Sequence, residues 1–139
     1  MLIRRLAIAG CLASFLLAVG CGPSGPKTFN VSGKVTFKGQ PIPIGKIYFD
    51  PVEVSAPSGF ADIVDGVYDT SKKGNKGVVA GKFKVRIQGY EKKGEDFGPP
   101  LFVEYPTEAD FSGGQATQDF DVPATAAKGL PKVSAPLDP

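Results

Sequence analysis

The chain of 139 residues contains no histidine and no tryptophan, and it has only two cysteines. Each scarcity removes a class of chemistry. Without histidine, neither a Ser-His-Asp nor a Cys-His nucleophilic arrangement can be assembled, and histidine-based zinc sites are excluded. Without tryptophan, a sugar-binding platform would have to rely on other rings. Both cysteines, Cys11 and Cys21, fall in the first 21 residues, so any thiol chemistry is confined to that segment. A convincing 3.6-residue apolar period is absent as well, which argues against amphipathic helices. Charge of one sign is also missing. Arg4 and Arg5 carry the only charges in residues 1–21, and the other 14 of the 16 Lys and Arg face 14 Asp and Glu. A neutral body gives no electrostatic reason to expect a nucleic-acid partner. The lysine pairs at 72–73 and 92–93 lie beside Gly, Asn or Glu and read as solvated loop charges.

What the chain does have is glycine, 18 residues, and proline, 13 residues. That suits short strands joined by many turns. It also has a distinctive N-terminus. "MLIRRLAIAGCLASFLLAVGC" begins with a short basic start, continues with an apolar run from Leu6 to Gly20, and ends in small residues. This is the three-part layout of a secretory signal peptide. The run is shorter than the roughly 20 residues a spanning helix needs. The residues before Cys21, Leu17-Ala18-Val19-Gly20, resemble the lipobox of bacterial lipoproteins, in which a cysteine is acylated and becomes the new N-terminus. Ala18 departs from the leucine usual at its position. "IAGC" at 8–11 fits the letters better. Cleavage there would leave an apolar region of only Leu6 to Gly10, below the roughly 7–15 residues of an export signal. Cys21 is therefore the expected lipid attachment site. The alternatives are simple secretion and a Cys11–Cys21 disulfide. The three acyl chains the resemblance implies would anchor firmly, since a single chain binds membranes only marginally.

After the tether of residues 21–27, alternation takes over. In "FNVSGKVTFKG", Val31, Gly33, Val35 and Phe37 fall on one face, and Ser32, Lys34, Thr36 and Lys38 on the other. Period two with β-branched residues predicts a half-buried strand. "KIYFDP" points Ile47 and Phe49 inward, and Pro51 ends the ladder. Asp65-Gly66, flanked by apolar runs, suits a tight hairpin. "GKFKVRIQG" is the clearest strand, with Phe83, Val85 and Ile87 inward. "LFVEY" (101–105) and "ATQDFDV" (116–122) are weaker strand candidates. "SKKGNKG" reads as a loop. Residues 124–139, rich in Pro and Ala, are expected to form a loose tail. About seven short strands in residues 28–123 predict an all-β, Ig-like or transthyretin-like antiparallel β-sandwich, preceded by a signal peptide at 1–20.

The order of pieces is similar to the small transthyretin-like, or carboxypeptidase regulatory-like, domains of bacterial envelope lipoproteins. The matching pieces are Val31-Gly33-Val35, Gly39-Pro41, Gly45, Asp65-Gly66-Tyr68 and Gly81-Phe83-Val85, spread over about residues 30 to 122. The motifs are structural. They imply the fold and say little about ligands.

Candidate chemistry is thin. Asp62, Asp65 and Asp69 cluster in sequence and offer oxygen ligands to Ca²⁺, but their spacing is not that of a calcium loop, and turn and solubility roles are expected instead. Glu91, Glu95 and Asp96, among lysines and Gly, read as a solvated loop, and Glu104, Glu108 and Asp110, scattered around Pro106, read as solvated too. Tyr48, Tyr68, Tyr90 and Tyr105 would bind sugars or proteins if they shared one exposed face; burial would sink that idea. No catalytic residue, metal or cofactor is expected. The leading expectation is a non-enzymatic protein anchored to a membrane by lipid in the cell envelope, contacting envelope proteins or cell-wall polymers. A carbohydrate-binding module is the alternative, and a carboxylate-based enzyme a third reading.

Overall fold

The computed structural model describes residue 22, residues 25–114 and residues 117–130. Cys11, Cys21 and the segment read as a signal peptide lie outside the described residues. Among those that are described, no helix is long and apolar enough to cross a membrane. The strands are β1 (Thr28–Phe29), β2 (Ser32–Phe37), β3 (Gln40–Pro41), β4 (Ile44–Pro51), β5 (Gly59–Val64), β6 (Val67–Asp69), β7 (Val78–Val79), β8 (Lys82–Lys93), β9 (Asp96–Pro100), β10 (Tyr105–Asp110) and β11 (Phe120–Val122).

One long sheet runs in the order β10-β8-β4-β5-β6-β2-β11, with β3 paired to β2 and β9 to β8; β1 and β7 form a separate two-stranded sheet. The long sheet curls over at β5 and β6, so that β4 and β8 look onto β6, β2 and β11. Alternation produces this shape. The inward residues Val35, Ile47, Phe49, Ala61, Ile63, Val85 and Ile87 are all fully buried. The Phe49 ring fills the centre, with its centroid 5.9 Å from Tyr68 and 6.5 Å from Phe120 on the opposite layer. Such aromatic contacts lie within the 4.5–7 Å range that stabilises a core beyond area burial. The expected β-sandwich is present, and Val31, Val35 and Phe37 occupy the inner face as the sequence pattern requires.

The Asp65-Gly66 turn is as expected. Both residues have positive φ, 50° and 75°, and Ile63 pairs with Tyr68 and Val64 with Val67 on either side. Glycine there meets the need for φ > 0 at the second central position.

The sandwich is antiparallel apart from one pair: β11 runs parallel to β2. β10 ends beside the start of β8, and Thr117 is bridged in parallel to Ser32, so β11 runs in the direction of β2. Three expectations need correction. Residues 101–103 are not a strand. They bend and drop Phe102 into the core, and the strand is instead Tyr105–Asp110. Pro106 is accommodated because β10 is an edge, paired only with β8. Glu91 and Asp96 belong to strands: β8 continues to Lys93, turns at Gly94 and returns as β9. This hairpin is exposed along most of its length, so no apolar alternation marked it. Finally, the chain is not loose at Ala124. Residues Ala124–Ala127 form a 3-10 turn, Ala126 and Ala127 pack on the core, and the Val103 amide donates to the Ala126 carbonyl at 3.2 Å.

Candidate functional site

The outward residues of the large sheet form cross-strand rows. One row runs Phe60, Tyr48, Arg86, Pro106 across β5, β4, β8 and β10. Another runs Val67, Val64, Ile44, Tyr90, Pro100 across β6, β5, β4, β8 and β9. Between them lies a polar row, Asp62, Lys46, Gln88. Such residues face outward because the buried set takes the alternate positions, and period two leaves them no other choice. Phe60, Val64, Val67 and Phe97 are each about half exposed. This is a large apolar fraction for one face of a small sandwich.

Polar groups knit the face. The Arg86 guanidinium sits 4.9 Å over the Tyr48 ring. Its Nε donates to Asp50 Oδ2 at 2.7 Å, and its Nη1 donates to Glu104 Oε2 at 3.4 Å. The bond to Asp50 is the main cause that raises the guanidinium's pKa further. Gln88 Nε2 donates to the same Glu104 oxygen at 2.7 Å. Arginine is suited to this double task, since its plane stacks on a ring while its edge binds carboxylates.

The four tyrosines divide. Tyr48 and Tyr90 lie on the outer face; Tyr90 meets Phe97 edge-on at 5.0 Å. Tyr105, opposite Ile87, turns inward and is half-buried. Tyr68 is in the core, and its hydroxyl donates to the Gln118 carbonyl at 2.6 Å. Burial, with Asp119 adding to it, pushes that phenol far above its ordinary value.

The three clustered aspartates do not converge. Asp65 is in the hairpin turn. Asp62 and Asp69 line a cleft of about 250 Å³ with Lys72 and Lys73. Lys73 Nζ lies 2.6 Å from Asp62 Oδ2, and Lys46 Nζ is 3.8 Å from Asp62 Oδ1. An ammonium therefore stands where a bound cation would. The Asp69 Oδ1 accepts from the Ser71 hydroxyl at 2.6 Å and from its amide at 2.8 Å, and these bonds hold its carboxyl below the usual value. No group of three metal-ligating side chains gathers among the described residues.

The sequence reading missed Phe60, Val64 and Val67 as a surface. The signal was present: "FADIV" and "VY" are apolar at outward as well as inward positions. No protein-family model, curated protein or solved structure matches the chain.

Proposed function

We propose that this protein is a lipid-anchored, non-enzymatic β-sandwich of a bacterial cell envelope, held to the membrane through Cys21 and acting by contact with envelope proteins or cell-wall polymers. It resembles the transthyretin-like envelope lipoproteins in the order of its turn and strand motifs. The observation that carries the reading is the outer face of the large sheet, where half-exposed Phe60, Val64 and Val67 lie beside the Arg86–Tyr48 stack. Apolar area ringed by hydrogen-bonding groups is the composition of a contact surface. An enzymic reading by the Asp62–Asp69 cleft fares worse. Asp62 is engaged by Lys73 and Asp69 Oδ1 by the amide and hydroxyl of Ser71, so both carboxylates are already occupied by neighbours of this chain rather than turned toward a common substrate position.

Two measurements test this. Growth with labelled palmitate is expected to label the parent protein and to leave Cys21→Ala unlabelled; equal labelling refutes the anchor. A photo-crosslinking residue at Phe60 is expected to capture an envelope component that the same residue at Lys128 does not. Equal capture from both positions refutes the surface. A carbohydrate ligand is favoured by one specific feature, the Tyr48 ring stacked on Arg86, whose partner Glu104 also accepts from Gln88. It predicts that cell-wall material retains the parent protein and releases Tyr48→Ala.

A further inference from the structure

The tether enters the sandwich at a particular end. Thr28 pairs with Val79 and Phe29 with Val78, and Gly25 and Pro26 lie in a groove of about 660 Å³ with Pro57, Phe60 and Lys76. The same end carries two features that the contact face does not use.

The first is the loop between β4 and β5. Val54 is 99% exposed and Val52 56% exposed. Val54 stands clear of the sandwich, and Val52 is only partly covered, beside Ala56, Val79 and Phe83; the exposed apolar surface carries a cost that a lipid interface would remove. The second is the loop between β6 and β7, "SKKGNKG". Lys72 and Lys76 are exposed, and so is Lys27 of the tether, whose neighbours Pro26 and Thr28 line the groove with Lys76. Lys73 is engaged by Asp62. No carboxylate lines the groove that joins the two loops. Nearby Asp69 and Asp110 are turned back onto Ser71 and Ser112, and Glu53 accepts from Ser55 at 3.4 Å. Seven residues of chain from Cys21 to Thr28 reach at most about 24 Å, so an anchor at Cys21 keeps this end close to the bilayer.

We propose that this end of the sandwich docks on an anionic lipid surface, with Val52 and Val54 entering the headgroup region and Lys27, Lys72 and Lys76 facing lipid phosphates. The proposal rests on the lipid anchor at Cys21. Exposed aliphatic groups and lysines are the two elements of interfacial binding, one by burial and the other by attraction to anionic lipid. Docking would fix the domain's orientation and hold the Phe60–Tyr48–Arg86 face side-on to the membrane, open to partners.

The test uses the full chain, matured in cells, in a Cys11→Ala background. Val54→Cys and Glu95→Cys each carry an environment-sensitive dye. Glu95 lies in the β8–β9 turn, at the opposite end of β8 from Lys82. The protein is reconstituted in vesicles of equal phosphatidylglycerol and phosphatidylcholine bearing a lipid quencher, and palmitate labelling is read on the same samples. The dye at 54 is expected to be quenched several-fold more than the dye at 95. Lys72→Glu with Lys76→Glu is expected to remove at least half of that difference. Equal quenching at 54 and 95 in palmitate-labelled protein overturns the docking and leaves the anchor standing. A difference that survives the lysine reversals overturns the electrostatic part. Absence of palmitate overturns the anchor and the docking with it.

Discussion

Replacement of Gly33 by alanine is expected to be among the most damaging small substitutions in the domain. Gly33 lies on β2 opposite Tyr68. A Cβ there would stand 1.9 Å from the Gln118 carbonyl oxygen, 2.7 Å from its carbon and 3.0 Å from Asp119 Oδ1. Backbone cannot yield as a flexible side chain can, so residues 117–119 must move outward. Three bonds hold them where they are. The Gln118 amide donates to the Ser32 carbonyl at 3.0 Å. The Tyr68 hydroxyl donates to the Gln118 carbonyl at 2.6 Å. The Lys34 amide donates to Asp119 Oδ1 at 2.7 Å. At about 1 kcal/mol for each neutral bond and somewhat more for the carboxylate, their loss amounts to about 3–4 kcal/mol. A domain of this size loses about 4–8 °C of Tm per kcal/mol, so Gly33→Ala is expected to lower Tm by more than about 10 °C. Tyr68→Phe strips one donor from Gln118 and is expected to cost about 1–2 kcal/mol. Because Gly33→Ala already displaces that carbonyl, the double variant is expected to cost about 1 kcal/mol less than the sum. Gly113→Ala, with nothing within 4 Å of its Cβ, is the control and should change stability by less than about 0.5 kcal/mol. Urea and thermal denaturation followed by circular dichroism measure all four. A Gly33→Ala protein within about 1 kcal/mol of the parent, or strict additivity in the cycle, would refute the argument that both residues act through Gln118.

Two further outcomes follow from the polar contacts. Arg86→Met removes the ion pairs to Asp50 and Glu104, but each partner's side chain is more than a third exposed. The cost is therefore expected to stay below about 1 kcal/mol and to shrink in high salt; a larger, salt-independent loss in denaturation would show that the stack on Tyr48 matters more than the charges. Asp69 and Asp110 are held below their ordinary value, 3.8, mainly by the hydroxyls of Ser71 and Ser112. Their stabilisation is present above that value and lost as pH falls through the lowered one. Asn at both positions keeps an acceptor oxygen and cannot titrate, so Tm measured between neutral pH and acid is expected to fall less steeply in the double variant than in the parent. An unchanged slope would sink the assignment.

The buried half of the fold was legible because burial imposes a period. Phe83, Val85 and Ile87 alternate with Lys82, Lys84 and Arg86, and no arrangement other than a half-buried strand accommodates that pattern. The Asp65-Gly66 turn was legible for a similar reason: its chemistry is set by two positive φ angles. The strands that escaped were those without a core constraint. In the β8–β9 hairpin both faces are exposed, so Lys92, Lys93 and Asp96 carry no period to read. In β10 the half-buried positions are Tyr105, Thr107 and Ala109, too mixed in polarity to register, while Pro106 argued for a break. The parallel partner of β11 could not be read from its own residues either, since direction depends on the end of the sandwich at which Thr117 meets Ser32.

The candidate surface was hidden by the same logic acting in reverse. Outward positions of a strand are free of packing, so a sequence reader assigns them to solvent whenever the inward set is satisfied. Tyr48 and Phe60 occupy such positions, directly opposite one another, yet they are 12 residues apart in sequence and neither stretch alone marks a surface. Register brought them together, and register here follows from the burial of Ile47 and Ala61 one step away in the same ladder. A slip by one residue would send Phe60 inward and Ala61 out. The core of this domain therefore sets the composition of its outer face: the pairing that buries Ile47 against Ala61 also places Phe60 beside Tyr48 and Tyr48 under Arg86.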